Sequence, residues 1–176
     1  MEKVKKGDTE AFRQLYERFK KPLFSYFSLR TRKVGEAEEL TQELFMRVYT
    51  SRLSYEPTAK LSTWLWTIAR NLCIDHSRKK QEVTGIEPEI MDREEDPLSS
   101  ADELLIQNAE LKQLERCIDE LNPDQKEATL LRTFSEAPYD EIASLLGTSL
   151  GNVKSLLFRA KQLLIECFRK RGYHAQ

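Results

Sequence analysis

The sequence predicts an all-α protein made of two small helical domains joined by a flexible acidic linker. Three observations carry that expectation. Apolar residues recur at helical spacing along most of the 176 residues, and no stretch alternates as a strand would. Charge is distributed in blocks. Residues 1–80 hold 17 Lys/Arg against 10 Asp/Glu, residues 81–110 hold 1 against 10, and residues 111–176 hold 10 against 9. The acidic block also carries Gly85, Pro88 and Pro97, so two folded segments flank a solvated connector. The divisions expected are 1–80, 81–103 and 104–176.

The first helical stretch opens at Asp8 or Thr9 as a cap. Phe12, Leu15, Tyr16, Phe19, Leu23, Phe24 and Phe27 then follow at helical spacing, with Pro22 as a kink or break. Residues 36–50 form an amphipathic helix whose buried stripe is Ala37, Leu40, Leu44, Phe45 and Val48. Glu38, Glu39, Gln42, Glu43 and Arg47 lie on its other faces. They are either a solvated surface or a face that meets a partner protein. Residues 51–60 contain Pro57 and little periodicity, and read as a loop.

The loop leads into LSTWLWTIARNLCIDHSRKK, Leu61 to Lys80. Ser62 or Thr63 is the expected cap, and Leu65, Ile68, Ala69 and Leu72 form the core stripe. Trp64 and Asn71, seven residues apart, sit on nearly one side at the edge of that stripe. Arg70, Arg78, Lys79 and Lys80 place cations beside and beyond them. An aromatic, an amide and cations on one helix suit a single nucleic-acid strand: stacking, base-edge reading and phosphate binding. The alternative is a core Trp on a helix with a basic, solvated end.

Beyond the linker, Leu104, Leu105, Leu111, Leu114, Ile118 and Leu121 mark a helix ending near Asn122-Pro123. Asn122 caps the next, with Pro123 at its first position. Ala128, Leu130, Leu131 and Phe134 continue it. Ile142, Ala143 and Leu146 then form a short apolar face, Gly147 supplies a left-handed turn, and Ser149 caps a helix with core stripe Val153, Leu157, Ala160 and Leu164. That pattern is a helix-turn-helix. Lys154, Ser155, Phe158 and Arg159 face outward near the start of its second helix, with groups suited to phosphates, base edges and a thymine methyl.

Several chemistries are not expected. No run approaches the ~18 apolar residues of a membrane span, and the first twelve residues lack the apolar core of a secretory leader. Cys73, Cys117 and Cys167 have no zinc or disulfide spacing, and read as buried thiols in a reducing cytoplasm. There is no Gly-rich phosphate loop and no nucleophile–base grouping, so neither an enzyme nor a cofactor or metal is expected. Asp75 and His76 are sequence neighbours that point in different directions on a helix.

Two segments together resemble one family. AEELTQELFMRVY followed by STWLWTIARNLCIDHSRKK resembles region 2 of bacterial sigma-70 family factors, and YDEIASLLGTSLGNVKSLLFRAKQLL resembles their region 4. The short linker is similar to that of the extracytoplasmic-function group. The resemblance implies a cytoplasmic sigma factor that directs core RNA polymerase to promoters. Its region 2 would dock on the β′ clamp helices through Glu39, Gln42, Glu43 and Arg47. It would also capture the non-template strand of the −10 element through Ser62, Trp64, Arg70, Asn71, Arg78 and the loop from Tyr55 to Ser62. Region 4 would bind the −35 duplex through Arg132, Lys154, Ser155, Phe158 and Arg159, and the β flap through its other face. An anti-sigma factor is a further implied partner. The chain departs from the family pattern at Glu136-Ala137-Pro138, where Pro138 starts a helix without a side-chain cap, and at Leu156, where many members are basic. The competing reading is a stand-alone helix-turn-helix regulator.

Overall fold

The computed structural model describes residues 1–57, 60–84 and 102–171. They form two compact units, Met1–Glu94 and Glu95–Gln176. Among the described residues the regular structure is helical: α1 (Glu2–Lys5), α2 (Thr9–Thr31), α3 (Val34–Thr50), a 3-10 turn (Ser51–Leu53), α4 (Leu61–Thr84), α5 (Asp102–Asp119), α6 (Pro123–Ser135), α7 (Tyr139–Leu146) and α8 (Leu150–Lys170). Helix enters both ends of the stretch expected as linker, since α4 runs through Thr84 and α5 begins at Asp102. The acidic residues 85–101 lie outside the described residues.

In the first unit α2, α3 and α4 pack on one another. Asp8 caps α2 by accepting from the Ala11 N–H at 2.9 Å. Helix α2 continues through Pro22 without a break. Proline removes only one helical N–H, and the burial of Leu23, Tyr26 and Phe27 just after it holds both halves in register. From α3 come Ala37, Leu40, Leu44 and Val48, and from α4 Leu65, Trp66, Ala69 and Leu72, all buried. Each large apolar side chain so buried contributes about 1.5–3 kcal/mol. Phe12 and Tyr16 of α2 close one end of the bundle against Phe45 and Tyr49 of α3, with ring centroids 4.7–6.4 Å apart.

Helix α4 corrects two expectations. It starts at Leu61, and its first bond runs from the Trp64 N–H to the Lys60 carbonyl at 3.1 Å, so Ser62 and Thr63 lie inside the first turn rather than at the cap. The two tryptophans also part. Trp66 is 1% exposed and meets Tyr26 edge-on at 5.4 Å, while Trp64 is half-buried. Residues two apart on a helix point about 200° away from each other, so only one of them can enter the core.

Glu36 in the first turn of α3 joins α4 at two points. Its Oε2 lies 2.8 Å from His76 Nε2 and its Oε1 accepts from Lys80 Nζ at 2.9 Å. Asp75 meets Arg78 instead, at 3.3 Å. Partial burial pushes the Glu36 carboxyl up, but the hydrogen bonds and charges of Lys80 and His76 more than offset this. The net shift is below the usual carboxylate value.

In the second unit, Asn122 and Gln125 cap α6 reciprocally: Asn122 Oδ1 accepts from the Gln125 N–H at 2.9 Å, and Gln125 Oε1 from the Asn122 N–H at 3.2 Å. The unit's core is Ile118, Leu121, Ala128, Leu130, Leu131, Ile142, Val153 and Ala160. Leu111 and Leu114, expected on the buried face of α5, are 56% and 36% exposed. From Leu111 onward, α5 buries Cys117 and Ile118 at its C-terminal end; the burial expected of Leu104 and Leu105 lies outside the described side chains. The cysteine expectation is overturned in part. Cys73 is a buried free thiol, but Cys117 and Cys167 form a disulfide joining α5 to α8, with Cα atoms 5.7 Å apart. The bond closes a loop of sequence separation 50, far too long to read as a local spacing motif. Packing at the C-terminal ends of two non-adjacent helices brings the sulfurs together. By chain entropy such a loop is worth about 4 kcal/mol. Arg171 extends the same seam, donating to Glu120 at 2.7 Å.

Two outcomes are expected from stability measurements. Trp66→Ala should cost the first unit about 3–5 kcal/mol by thermal or urea unfolding, whereas Trp64→Ala should cost less than half as much. The stability contributed by Glu36 is present above the ordinary carboxylate pKa and is lost as the pH falls through its lowered folded value. Glu36→Gln should therefore cost about 1–3 kcal/mol at neutral pH and flatten the acid side of the stability profile.

Candidate nucleic-acid interfaces

The first interface is a cleft of about 480 Å³ in the N-terminal unit, lined by Arg47, Ser51, Ser54, Tyr55, Glu56, Trp64, Ile68 and Asn71. Its size lies within the range of about 300–1,000 Å³ typical of small-molecule pockets. Burial of Leu65, Trp66, Ala69 and Leu72 fixes the azimuth of α4, and the cleft-facing edge of α4 is then Trp64, Ile68 and Asn71. Ile68, expected in the core stripe, is half-buried and forms the cleft wall between them.

The opposite wall is the turn after α3. Tyr55 is buried and meets Trp64 edge-on at 4.9 Å, which fixes the indole. Lys5 Nζ donates to the Tyr55 carbonyl at 3.3 Å and ties that turn to α1. Arg52 stacks over the Tyr49 ring at 4.0 Å and donates to the Tyr49 carbonyl at 2.7 Å. The cleft therefore presents an indole, an amide, two serine hydroxyls and a guanidinium, together with the Glu56 carboxylate. That set can stack on a base and hydrogen-bond its edge.

Of the five residues expected at the −10 strand, the structure brings Trp64 and Asn71 into this cleft. Ser62, Arg70 and Arg78 are not in its lining. Ser62 occupies the first turn of α4, Arg70 is half-buried, and Arg78 is exposed and paired with Asp75. Arg47, grouped with the docking residues in the sequence, lines the cleft and is anchored to Glu43 at 2.6 Å. Ser51 and Ser54 also line it. Their place depends on how the turn folds against α4, for which the sequence pattern carries no signal.

Glu39, Gln42 and Glu43 are exposed on one face of α3, at helical spacing with Met46, which is 61% exposed. An acidic and amide face with a bare methionine on it is suited to a basic helical partner.

The second interface is the helix-turn-helix of the C-terminal unit. Helix α7 starts after Pro138, which makes no side-chain cap, and ends at Gly147 with φ of 65°. The Thr148 N–H closes back on the Ala143 carbonyl at 2.9 Å. Ser149 Oγ then accepts from the Asn152 N–H at 3.1 Å and starts α8. Val153 and Ala160 are buried, with Leu157 and Leu164 half-buried beside them. That burial turns Lys154, Ser155, Phe158 and Arg159 outward, and Phe158 is 65% exposed. Phe158 therefore stands as an apolar group between the two cations on the outward face of α8.

Two of the expected contacts carry structural duties as well. Ser155 Oγ donates to the Gly151 carbonyl at 3.0 Å, so its proton is used within the helix. Arg132 donates to the Ala137 carbonyl at 2.8 Å and stacks over Tyr139 at 5.2 Å. It thus braces the turn in which Glu136 takes a left-handed φ of 54°. Among the described residues no His, Cys, Asp or Glu group is arranged to hold a metal ion, and no helix is long and apolar enough to cross a membrane.

Residues 15–83 match the family described as Sigma-70 region 2, and residues 111–164 match Sigma-70, region 4. The chain is 31% identical to the ECF RNA polymerase sigma factor SigW of Bacillus subtilis, over 93% of this chain and 92% of that one. It is 30% identical to the ECF RNA polymerase sigma-E factor of Escherichia coli, over 93% and 90%. The sigma factor RpoE of Bartonella quintana, solved with the anti-sigma factor NepR, is similar in structure with a TM-score of 0.73 and 25% identity, over 91% of this chain and 98% of that one. With both family regions matched in order and a relative 31% identical over nearly its whole length, the chain belongs to the extracytoplasmic-function group of the sigma-70 family.

Proposed function

We propose that the chain acts as an alternative sigma factor whose two units divide promoter recognition between a melted strand and a duplex. The observation that carries this reading is the cleft built from Tyr55, Trp64 and Asn71 in a chain that also holds a helix-turn-helix. A protein that only bound duplex DNA would have no use for a wall of indole, amide and hydroxyls. In this reading residues 1–80 capture a base of the −10 non-template strand. Unstacking that base costs a few kcal/mol, which stacking and edge contacts in the cleft offset. Residues 104–176 hold the −35 duplex through Lys154, Ser155, Phe158 and Arg159, with Arg132 both bracing the turn and presenting charge. Residues 81–103 connect the two.

The exposed face of Glu39, Gln42, Glu43 and Met46 docks on the β′ clamp helices of core polymerase, and the opposite face of the C-terminal unit meets the β flap. The factor itself carries out no catalysis; the bond-forming step belongs to the polymerase. It works in the cytoplasm, where an anti-sigma factor masks the same surfaces until released.

Run-off transcription with core polymerase tests the reading. Promoter-dependent initiation is expected on adding the full chain. Tight duplex binding by the chain alone, with no initiation, would instead mark a stand-alone regulator. Trp64→Ala and Asn71→Ala are expected to slow open-complex formation, read by permanganate footprinting, while −35 duplex retention is unchanged. Arg159→Ala is expected to weaken −35 binding by about 1–3 kcal/mol where the guanidinium reads a base. An equal loss on all sequences would mark a phosphate contact.

A further inference from the structure

The first turn of α8 holds an amide that the set of cations, hydroxyl and phenyl leaves aside. Asn152 is exposed, and its Nδ2 donates to Thr148 Oγ1 at 2.9 Å. The tether fixes the amide on the turn of the helix-turn-helix. It uses one of the two Nδ2 protons and leaves the other, together with the Oδ1 acceptor. The backbone N–H of the same residue is already satisfied by Ser149. The remaining donor–acceptor pair is therefore held in place with nothing local to do.

Position on the helix adds to this. Asn152 and Arg159 are seven residues apart, so they lie within about 20° of one another around α8 and about 10.5 Å apart along it. That distance is about three base steps at 3.4 Å. Between them Leu156 offers no hydrogen-bonding group, and the Ser155 proton is given to Gly151. On this edge of α8 the two residues equipped to read a base edge are Asn152 and Arg159. An arginine matches the O6 and N7 acceptors of guanine. An asparagine amide matches the N6 donor and N7 acceptor of adenine.

We propose that Asn152 is a specificity-determining residue that reads an adenine in the major groove, about three base pairs from the site of Arg159. Thr148 is the positioning residue that presents its amide. The inference rests on the proposal that the C-terminal unit binds the −35 duplex, and it adds a base identity and a contact to that proposal.

The test uses holoenzyme assembled from the full chain and core polymerase. Binding is selected from duplexes with a randomised upstream element. The wild type is expected to enrich one adenine position, and replacing that adenine by another base or by 7-deazaadenine should weaken binding roughly 5- to 100-fold. Asn152→Ala should lose the preference at that position alone, keep the others, and show no further loss with 7-deazaadenine. Thr148→Val should reduce the preference by less. The thermal midpoint of Asn152→Ala should stay close to that of the wild type, because the Ser149 cap uses the backbone of residue 152 and the lost side-chain bond to Thr148 is exposed. An unchanged base profile in Asn152→Ala overturns the assignment, as does a loss of equal size on every sequence. If the wild type selects no upstream sequence and Arg159→Ala is equally indifferent, the −35 reading itself is wrong and the Asn152 contact falls with it.

Discussion

A helix cannot point two residues two positions apart in the same direction, and the first unit is organised around that constraint at Trp64 and Trp66. Trp66 fills the space between α2 and α4 against Tyr26, with Leu65, Ala69 and Leu72 beside it. Once these are buried, α4 has no freedom to rotate, and Trp64, Ile68 and Asn71 must line the cleft. The turn after α3 completes the site by placing Tyr55 against the Trp64 ring. A cleft whose walls are set by core packing is already formed in the free chain, so a ligand there need not order it. The bundle and the cleft are therefore not separable in this unit: loosening the core would blur the site.

The second unit applies the same logic with less burial. Its helix-turn-helix is set by local chemistry, namely the Asn122–Gln125 box, the Gly147 turn and the Ser149 cap. The apolar residues that hold α8 are small or half-buried except for Val153, and the outward face keeps a bare Phe158. Staples supply what a small core does not: the Cys117–Cys167 bond, the Arg171–Glu120 pair beside it, and the Lys126–Asp119 pair at 2.9 Å between α5 and α6.

Local and periodic features were legible in the sequence. Helix existence, the Asp8, Asn122 and Ser149 caps, the left-handed Gly147 and the outward residues of α8 all depend on neighbours within about two turns, which periodicity and capping chemistry report. What was not legible depends on contacts across the chain. The fate of the two tryptophans turns on Tyr26, forty residues away. The pairing of Cys117 with Cys167 turns on where two helix ends meet. Arg47 belongs to the cleft wall as well as to the outer face of α3 because the turn after α3 folds back beside it. Leu111 and Leu114 follow the helical pattern but are exposed, since periodicity identifies an apolar stripe and not what lies against it.

The bond between Cys117 and Cys167 joins the first helix of its unit to the last. Every peptide bond from Cys117 to Cys167, through α6, α7 and α8 up to its last turn, therefore lies inside a covalent ring. A protease that cut in the turn at Gly147 or the segment at Glu136 would leave both pieces attached, and they would migrate as one species until a reductant was added. For α8 this means that a single backbone break inside the ring cannot release it from the rest of its unit. While the bond is intact, separating the outward face of α8 from the first unit requires a cut outside the ring, on the N-terminal side of Cys117.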